Sequence, residues 1–360
     1  GKTWLAFSAG LTMEPPVLQA TATAFLILLA LGIVRIFQNR GSVGAWQWLA
    51  PLDCWVPVAI AFMVNPILPF FFERYVLVAL PGFLLIVALG LEFLARRSKV
   101  LAISALSILL ISNLQSLNSY YFDDAYAKGK YGQMMAYVSA HAQPGDALVL
   151  NNPLQKSLYR YYQPRGVPAY FLPDGAPLED PASRALLEKI TREHVRVWLV
   201  MFGNPAEYDP TNYLQRTLGA NAHKSFAQGF VDAALSLYLL PATAEPALKP
   251  IRATLGETIE LRGYRLDRDA AAPREGLRLT LEWRADAPIE KAYKVFVHLI
   301  GGYNPATNSP VWAQMDGAPV GGTYTTTRWQ PGETITDRYG LNLPENIPPG
   351  EYVLQVGMYD

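Results

Sequence analysis

The pattern of apolar residues divides the chain into two regions of different character. In the first region, four long apolar stretches follow one another, at Val17–Phe37, Trp46–Val64, Tyr75–Leu94 and Val100–Leu117. A helix needs about 20 mostly apolar residues to cross the hydrocarbon core of a bilayer, so these stretches predict four transmembrane helices. The second stretch is the least regular, because Asp53 and two prolines interrupt it. A partly buried or interfacial helix is the alternative there.

Lysine and arginine in the short connections predict the orientation of these helices. Arg35 and Arg40 follow the first stretch, and the basic run at 95–99 separates the third stretch from the fourth. Short loops rich in these residues tend to be cytoplasmic. We therefore expect the connection at 65–74, and everything after Leu117, to lie outside the cytoplasm.

The next region, residues 118–246, alternates helical and strand-like patterns. This alternation favours a small α/β domain with a mainly parallel sheet. The expected helices are Tyr131–His141, Leu154–Tyr162, Pro181–His194 and Asn212–Leu218, and the expected strands are Ala147–Leu150, Val167–Leu172 and Val195–Met201.

Residues 247–360 show a different pattern, with short strands that alternate apolar and polar residues. A proline-rich stretch, PATAEPALKP, precedes them and reads as a linker. Together these features predict an antiparallel β-sandwich, truncated at its C-terminal end. The expected strands are Thr258–Arg265, Leu277–Arg284, Lys294–Leu299, Val311–Asp316, Thr334–Leu341 and Gly350–Met358.

Composition and charge narrow the possible functions. Only 17% of residues are charged and 51% are hydrophobic, which agrees with a membrane-embedded part. The formal net charge of +0 argues against a nucleic-acid partner, which would require a clustered basic surface. The four histidines are far apart and no nucleotide-binding glycine motif occurs, so no metal site or other cofactor is predicted. Both ends of the sequence suggest a piece of a longer protein.

The segment NPILPFFFERYVLVALPGFLLIVALGL is the most informative part of the membrane region. It places Arg74 and Tyr75 where the chain enters the third apolar stretch. Arginine at this depth could simply anchor the helix among lipid headgroups. Alternatively, its fixed fork of donors could bind the phosphate of a lipid-linked molecule, together with Tyr75.

The order of motifs around this segment resembles a known family. A short outer loop, P-x-F, R-Y and an apolar helix with a proline are followed by the basic turn ARRSK and one more helix. Then comes NSYYFDDAYAKGKYGQMMAYVSAHAQPGDALVL. This order is similar to the late transmembrane region of polytopic GT-C glycosyltransferases. The dolichyl-phosphate-mannose-protein mannosyltransferase-like and aminoarabinose-transferase-like groups are the relatives it resembles, over about residues 1–240.

The resemblance implies a function at the plasma or inner membrane. Such enzymes transfer a sugar from a polyprenyl-phosphate donor to a glycan, lipid or protein acceptor on the extracytoplasmic side. The matching positions imply that Arg74 and Tyr75 lie near the donor phosphate. The family's catalytic acidic residues lie in its first outer loop, which has no counterpart in this sequence. No catalytic base is therefore named, and we expect this chain alone to be inactive.

Further candidate contacts lie outside the membrane region. Asp123 and Asp124 follow two tyrosines close to the expected bilayer surface and could contact an acceptor, although a solvated loop pair is the alternative. The C-terminal strands are similar to sandwich domains appended to membrane glycosyltransferases of environmental bacteria. Trp312, Trp329 or Tyr324 could bind carbohydrate there, with buried packing as the alternative. A tyrosine cluster could stack on sugar faces, with packing between the sheet and the membrane region as the alternative: Tyr159, Tyr161, Tyr162 and Tyr170.

Two other functions remain open. The chain could belong to a non-catalytic, membrane-anchored protein that binds carbohydrate or organises the cell envelope. A transporter or polymer flippase is the third possibility. Transporters usually carry polar or broken helices near the middle of the membrane, whereas only the second apolar stretch is interrupted here.

Overall fold

The computed structural model describes residues 15–38, 48–67, 73–123, 130–173, 181–204, 209–241 and 245–360. The chain divides into two compact units, Gly1–Ala127 and Lys128–Asp360. We call them the helical unit and the sheet unit, and describe each by itself.

Within its described residues, the helical unit has four long α-helices and the 3₁₀ segment that precedes the third of them. Three stretches, Pro16–Gln38, Val76–Ala95 and Lys99–Phe122, are long and apolar enough to cross a membrane, while the helix Leu49–Val64 is apolar but shorter. Three of the four predicted spans thus have the expected length. The elements are α1 (Pro15–Gln38), α2 (Leu49–Val64), the 3₁₀ segment Glu73–Ala79, α3 (Leu80–Ala95) and α4 (Lys99–Phe122).

Helices α1 and α3 run parallel and touch at two glycines. Phe25 stacks on Phe83 with ring centroids 5.8 Å apart, and the Nε of Arg35 lies 3.2 Å from Glu92 further along both helices. Between these contacts, a Cβ added to Gly32 would meet the backbone of α3, and one added to Gly90 would meet the backbone of α1. Small residues allow this close approach between membrane helices.

The sheet unit carries a nine-stranded mixed sheet with the strand order β2-β1-β3-β5-β4-β11-β8-β7-β6, and a three-stranded antiparallel sheet with the order β10-β9-β12. Its longer helices among the described residues are α5 (Tyr131–His141), α6 (Lys156–Tyr162), α7 (Pro181–Glu193) and α8 (Tyr213–Asn221). Its strands are β1 (Asp146–Leu150), β2 (Ala169–Phe171), β3 (Arg196–Phe202), β4 (His223–Phe230), β5 (Ala233–Leu239), β6 (Lys249–Leu255), β7 (Ile259–Leu266), β8 (Gly276–Ala285), β9 (Lys294–Asn304), β10 (Ser309–Gly317), β11 (Thr334–Asn342) and β12 (Val353–Tyr359).

The prediction of a mainly parallel sheet holds only for the first three strands. β1 pairs in parallel with both β2 and β3. β5 then pairs antiparallel with β3 and with β4. Neither β4 nor β5 is among the strands predicted from the sequence. They form a hairpin, and a hairpin joins antiparallel strands through a tight turn.

The six predicted C-terminal strands are confirmed as β7 to β12, with a further strand that was not predicted. β6 begins with the last two residues of the expected linker and continues to Leu255. It has almost no buried residues, so it lacks the alternation by which strands are recognised. One hydrophobic core draws side chains from both sheets, including Trp283 of β8, Val297 of β9 and Ile335 of β11.

The nine-stranded sheet continues across the expected boundary at residues 246 and 247. β11 pairs in parallel with β4 at Tyr339 and Lys224. Beside this pair, the Nδ2 of Asn342 donates to the Oγ of Ser225 over 3.1 Å, and the Nε of Arg278 donates to the carbonyl of Leu240 over 2.7 Å. These contacts join the α/β strands and the C-terminal strands within one unit.

Candidate functional site

The RY segment lies at the start of a long helical run. Arg74 and Tyr75 belong to the 3₁₀ segment Glu73–Ala79, which continues directly into α3. Their side chains lie outside the described part of the structure. The backbone alone fixes which end of the run they occupy.

The opposite end of this run carries a cluster of charges. The carboxylate of Glu92 pairs with Arg35 of α1 and, over 2.7 Å, with the Nη2 of Arg96. The guanidinium of Arg97 lies 4.3 Å from the ring centroid of Phe93. We call Arg35, Glu92, Arg96 and Arg97 the basic end of the helical unit.

The distance between Arg74 and the basic end matches a bilayer. From Arg74 to Glu92 the chain rises by about 2.0 Å per residue in the 3₁₀ segment and about 1.5 Å per residue in α3, or about 30 Å in total. The hydrocarbon core of a bilayer is about 30 Å thick. No charged residue interrupts the sequence between these two positions.

Asp53 stabilises the start of α3 from the neighbouring helix. Its Oδ2 accepts a hydrogen bond from the backbone N–H of Gly82 over 2.8 Å. The first turn of a helix leaves its N–H groups without intrahelical partners, and the carboxylate provides an acceptor for one of them. Gly82 has no room for a Cβ, because the backbone of Ala50 and Cys54 lies against it. Asp53 is therefore a polar contact within the helix bundle.

The two aspartates expected near an acceptor follow α4. Asp123 is exposed, and its backbone N–H donates to the carbonyl of Ser119 over 3.0 Å, which ends the helix. Asp124 lies outside the described residues.

Both tryptophans proposed for sugar contact lie in the core of the sheet unit. Trp312 is 8% exposed and Trp329 is 2% exposed. The Nε1 of Trp312 donates to the carbonyl of Gly302 over 2.8 Å, and its ring meets Tyr352 edge-on. Tyr324 is half-buried, and its hydroxyl donates to Glu333 over 3.0 Å. The packing interpretation therefore describes the tryptophans, since almost no ring surface is open to a sugar.

The four tyrosines of the expected cluster do not share one surface. Tyr159 packs edge-on against Phe171 on one face of the large sheet, while Tyr170 belongs to the core on the other face. Tyr161 is 81% exposed. Neighbouring positions in a strand point to opposite faces, which separates Tyr170 from Phe171 and its partner.

Sequence reasoning missed a buried ion pair beside the PGD turn. Asp146 accepts hydrogen bonds from the Nε and Nη2 of Arg196, over 2.7 and 2.6 Å, and from the Nε1 of Trp198 over 2.9 Å. The same Nη2 also donates to the carbonyl of His141 over 2.9 Å. The arginine within the otherwise apolar run VRVWLVM was the available signal, because a charge on a buried strand requires a partner.

No group of three or more His, Cys, Asp or Glu side chains that could hold a metal occurs among the described residues. In comparisons with known proteins, no protein-family model and no curated protein sequence matches this chain.

Proposed function

We propose that this chain is part of a membrane glycosyltransferase that uses a polyprenyl-phosphate sugar. In this proposal the enzyme transfers the sugar to an acceptor on the extracytoplasmic side, and Arg74 and Tyr75 contact the donor phosphate. The chain crosses the membrane several times, and the sheet unit lies outside the cytoplasm.

One observation carries the proposal. Arg74 and the basic end of the helical unit are separated by about 30 Å of uninterrupted apolar helix, which is the thickness of a bilayer core. Arg35, Arg96 and Arg97 favour the cytoplasmic side for their end by the positive-inside tendency. Arg74 then reaches the headgroups of the opposite leaflet, where a polyprenyl phosphate presents its phosphate.

The chemistry of transfer explains why an arginine belongs there. As the bond between sugar and phosphate breaks, negative charge grows on the phosphate that leaves. A guanidinium fixed at the rim of the helix bundle stabilises that charge through paired hydrogen bonds. The hydrogen bond that the N–H of Gly82 donates to Asp53 holds the start of α3 against α2, and the 3₁₀ segment with Arg74 leads directly into that start.

The parallel direction of α1 and α3 supports several crossings. Two neighbouring helices can point the same way only if the chain returns between them, and α2 is the segment available for that return. α2 has 16 residues. That length falls slightly short of the usual span of about 20 residues.

We also propose that residues 247–360 form an antiparallel β-sandwich. The core that Trp283, Val297 and Ile335 share draws on both sheets, as the facing layers of a sandwich would. In this arrangement β6, β7, β8 and β11 form one layer, and β9, β10 and β12 form the other.

Binding of a polyprenyl phosphate tests the role of Arg74 without requiring catalysis. The chain is reconstituted into lipid nanodiscs and titrated with polyprenyl monophosphate, with binding measured by native mass spectrometry. Arg74→Ala is expected to weaken binding by about tenfold or more, because a hydrogen bond to a charged group contributes about 1.5–3 kcal/mol. Arg97→Ala, at the basic end, is the matched control and should bind as the wild type does.

The same variants in the full-length polypeptide test transfer itself. We expect Arg74→Ala to reduce sugar transfer from a polyprenyl-phosphate donor, and Arg74→Lys to restore only part of it, since lysine lacks the paired donors. Unchanged binding and unchanged transfer in Arg74→Ala would remove the proposed phosphate contact.

A membrane-anchored, non-catalytic carbohydrate-binding protein is the second candidate function. The size and independent cores of the sheet unit favour it, because a folded body of this kind can bind a ligand without an active site. Carbohydrate binding without any transfer by the full-length polypeptide would select this candidate.

A further inference from the structure

A cleft in the sheet unit has the open volume that a ligand needs and that is missing at the buried rings of Trp312 and Trp329. It lies on the face of the large sheet covered by α5, and loop residues around Arg274 and Glu345 close its far side. Its volume is about 510 Å³, within the range of about 300–1,000 Å³ that small-molecule sites have. We define this central cleft by six of the residues that line it: Tyr137, His141, Arg196, Trp198, Phe226 and Asn342.

Stacked rings form one wall of the central cleft. Tyr137 lies between His141 and Phe226, with centroid distances of 4.0 and 4.8 Å and nearly parallel planes. Behind these rings, the buried indole of Trp198 meets Phe226 at a steep angle and is fixed by its hydrogen bond to Asp146. Since each ring is held by its neighbours, the wall offers a preformed apolar surface that loses little side-chain entropy on binding.

Asn342 places an unsatisfied acceptor at the cleft. Its Nδ2 donates to the Oγ and to the backbone carbonyl of Ser225, which fixes the orientation of the amide because a carbonyl can only accept. Its Oδ1 is buried and has no hydrogen-bond partner among the described residues. A buried acceptor without a partner is costly, and it would gain a partner if a ligand hydroxyl in the cleft reached it.

Arg196 places a donor at the same cleft. Its Nε and Nη2 are held by Asp146 and by the carbonyl of His141. Its Nη1 has no acceptor among the described residues, and the residue is only 6% exposed. The guanidinium is thus locked in place with one donor group left for a ligand.

The charges around the cleft are balanced by partners of the protein itself. Asp146 neutralises Arg196, and Glu345 pairs with Arg274. A phosphate or carboxylate would have to compete with these carboxylates for each cation. A neutral ligand faces no such competition. Hydroxyl groups, which both donate and accept, can pair with the acceptor of Asn342 and with the donor of Arg196.

We propose that the central cleft binds a neutral saccharide. The hydroxyl groups of a sugar both donate and accept hydrogen bonds, and the C–H faces of its ring pack on apolar aromatic surface. Asn342 and Arg196 contact the hydroxyl groups, and the wall that includes Phe226 contacts the ring. The site depends on neither the phosphate contact of Arg74 nor the transfer reaction, and it gives the carbohydrate-binding candidate a defined binding site.

A glycan array probes this site with the chain in lipid nanodiscs. Nanodiscs are needed because alkyl maltoside detergents would compete as sugars. The array carries neutral glucose, mannose and galactose oligosaccharides beside uronic-acid and sialylated oligosaccharides. We expect retention on at least one neutral oligosaccharide and no preference for the acidic ones.

Two variants locate the binding. Gln314→Trp fills the cleft from an exposed position on β10, and should weaken binding by about tenfold or more, about 1.4 kcal/mol. Gln228→Trp is the matched control, since it adds the same bulk at an exposed position on β4 outside the cleft, and should bind as the wild type does. Asn342→Leu removes the buried acceptor and should also weaken binding by about tenfold.

The measurements separate loss of binding from loss of folding. Thermal unfolding of every variant identifies loss of binding that comes from loss of folding, and Gln314→Trp keeps the test valid if Asn342→Leu does not fold. Retention on acidic oligosaccharides alone, retention on none, or unchanged binding in Gln314→Trp would overturn the proposal. Arg74→Ala should leave saccharide binding unchanged, so failure here is distinguishable from failure of the proposed phosphate site.

Discussion

The helical unit and the sheet unit both satisfy polar groups in their interiors, but by different means. In the helical unit, Asp53 caps a helix start, and Thr21 contacts Ser112 between helices through hydroxyl groups 3.0 Å apart. In the sheet unit, whole charges are buried, and Asp146 receives hydrogen bonds from three neighbouring groups of Arg196 and Trp198.

Packing differs between the two units as well. α1 and α3 approach until Gly32 and Gly90 touch the facing backbone, and the helix surface away from that contact carries many exposed leucines and isoleucines. The sheet unit instead encloses large side chains such as Trp198 and Trp283. A surface rich in exposed apolar side chains suits contact with lipid. A unit that encloses its apolar side chains suits a surrounding of water. We therefore expect the sheet unit to lose most stability when a buried charge loses its partner. The helical unit should lose most when the close contact between α1 and α3 is obstructed.

The largest effect is expected in the sheet unit at Arg196. Arg196→Leu leaves Asp146 buried without its main partner, which should lower the free energy of unfolding by about 3–5 kcal/mol. Urea unfolding followed by tryptophan fluorescence measures it. Lys189→Ala is the control, because the pair of Lys189 with Glu193 is mostly exposed and contributes little. Similar losses in both variants would show that burial of the ion pair has no special importance.

The next effect is expected in the helical unit at Gly90. Gly90→Leu places a side chain against the backbone of Leu28, which cannot yield as a side chain can. We expect a loss of about 3 kcal/mol, the upper part of the range for overpacking. Unfolding in mixed micelles, followed by circular dichroism, measures it. Ser104→Leu, on an exposed face of α4, should be neutral, and equal stability of the two variants would contradict the close approach of α1 and α3.

A smaller effect depends on pH and concerns Asp337 in the sheet unit. Its carboxylate is fully buried, and accepts hydrogen bonds from the hydroxyl of Tyr339 and the N–H of Val320, each over 2.7 Å. Burial outweighs these bonds and raises the pKa of Asp337 to about 6. The folded state therefore holds the proton more tightly than the unfolded state does.

Because the pKa of Asp337 is raised in the folded state, stability falls as the pH rises. The contribution of Asp337 to stability is fully present below its unfolded pKa near 4, and is lost as the pH rises through about 6. Between pH 4.5 and 7.5 the loss is about 2 kcal/mol. Urea unfolding at both values should show a smaller change in Asp337→Asn than in the wild type. If Asp337→Asn and the wild type showed the same change in the free energy of unfolding between these two pH values, the raised pKa of Asp337 would be contradicted.

The sequence predicted those elements whose patterns are local. Tyr131–His141 forms a helix with the expected bounds, and the alternation in LRLTLEW marks β8. The fourth apolar stretch was predicted to end at Leu117, but α4 continues to Phe122. Helical structure does not need to stop where a stretch becomes polar, so hydropathy alone could not give that end.

Contacts between distant residues could not be read from the sequence. The parallel pairing of β11 with β4 joins positions more than a hundred residues apart, and nothing local in Tyr339 or Lys224 indicates it. The central cleft has the same origin, since Arg196 and Asn342 belong to strands that only the sheet brings together. Trp312 and Trp329 were predicted as possible sugar contacts because aromatic rings often bind sugars. The sequence alone does not distinguish a buried ring from an exposed one.

The account depends most directly on the side of the membrane that Arg74 reaches. Arg74→Cys and Arg97→Cys variants, made without the buried Cys54, can be treated in intact cells with a membrane-impermeant maleimide. The account predicts labelling at position 74 from outside, and at position 97 only after the cells are permeabilised. Labelling of position 97 from outside, or of position 74 only after permeabilisation, would contradict the proposed contact with an extracytoplasmic donor phosphate.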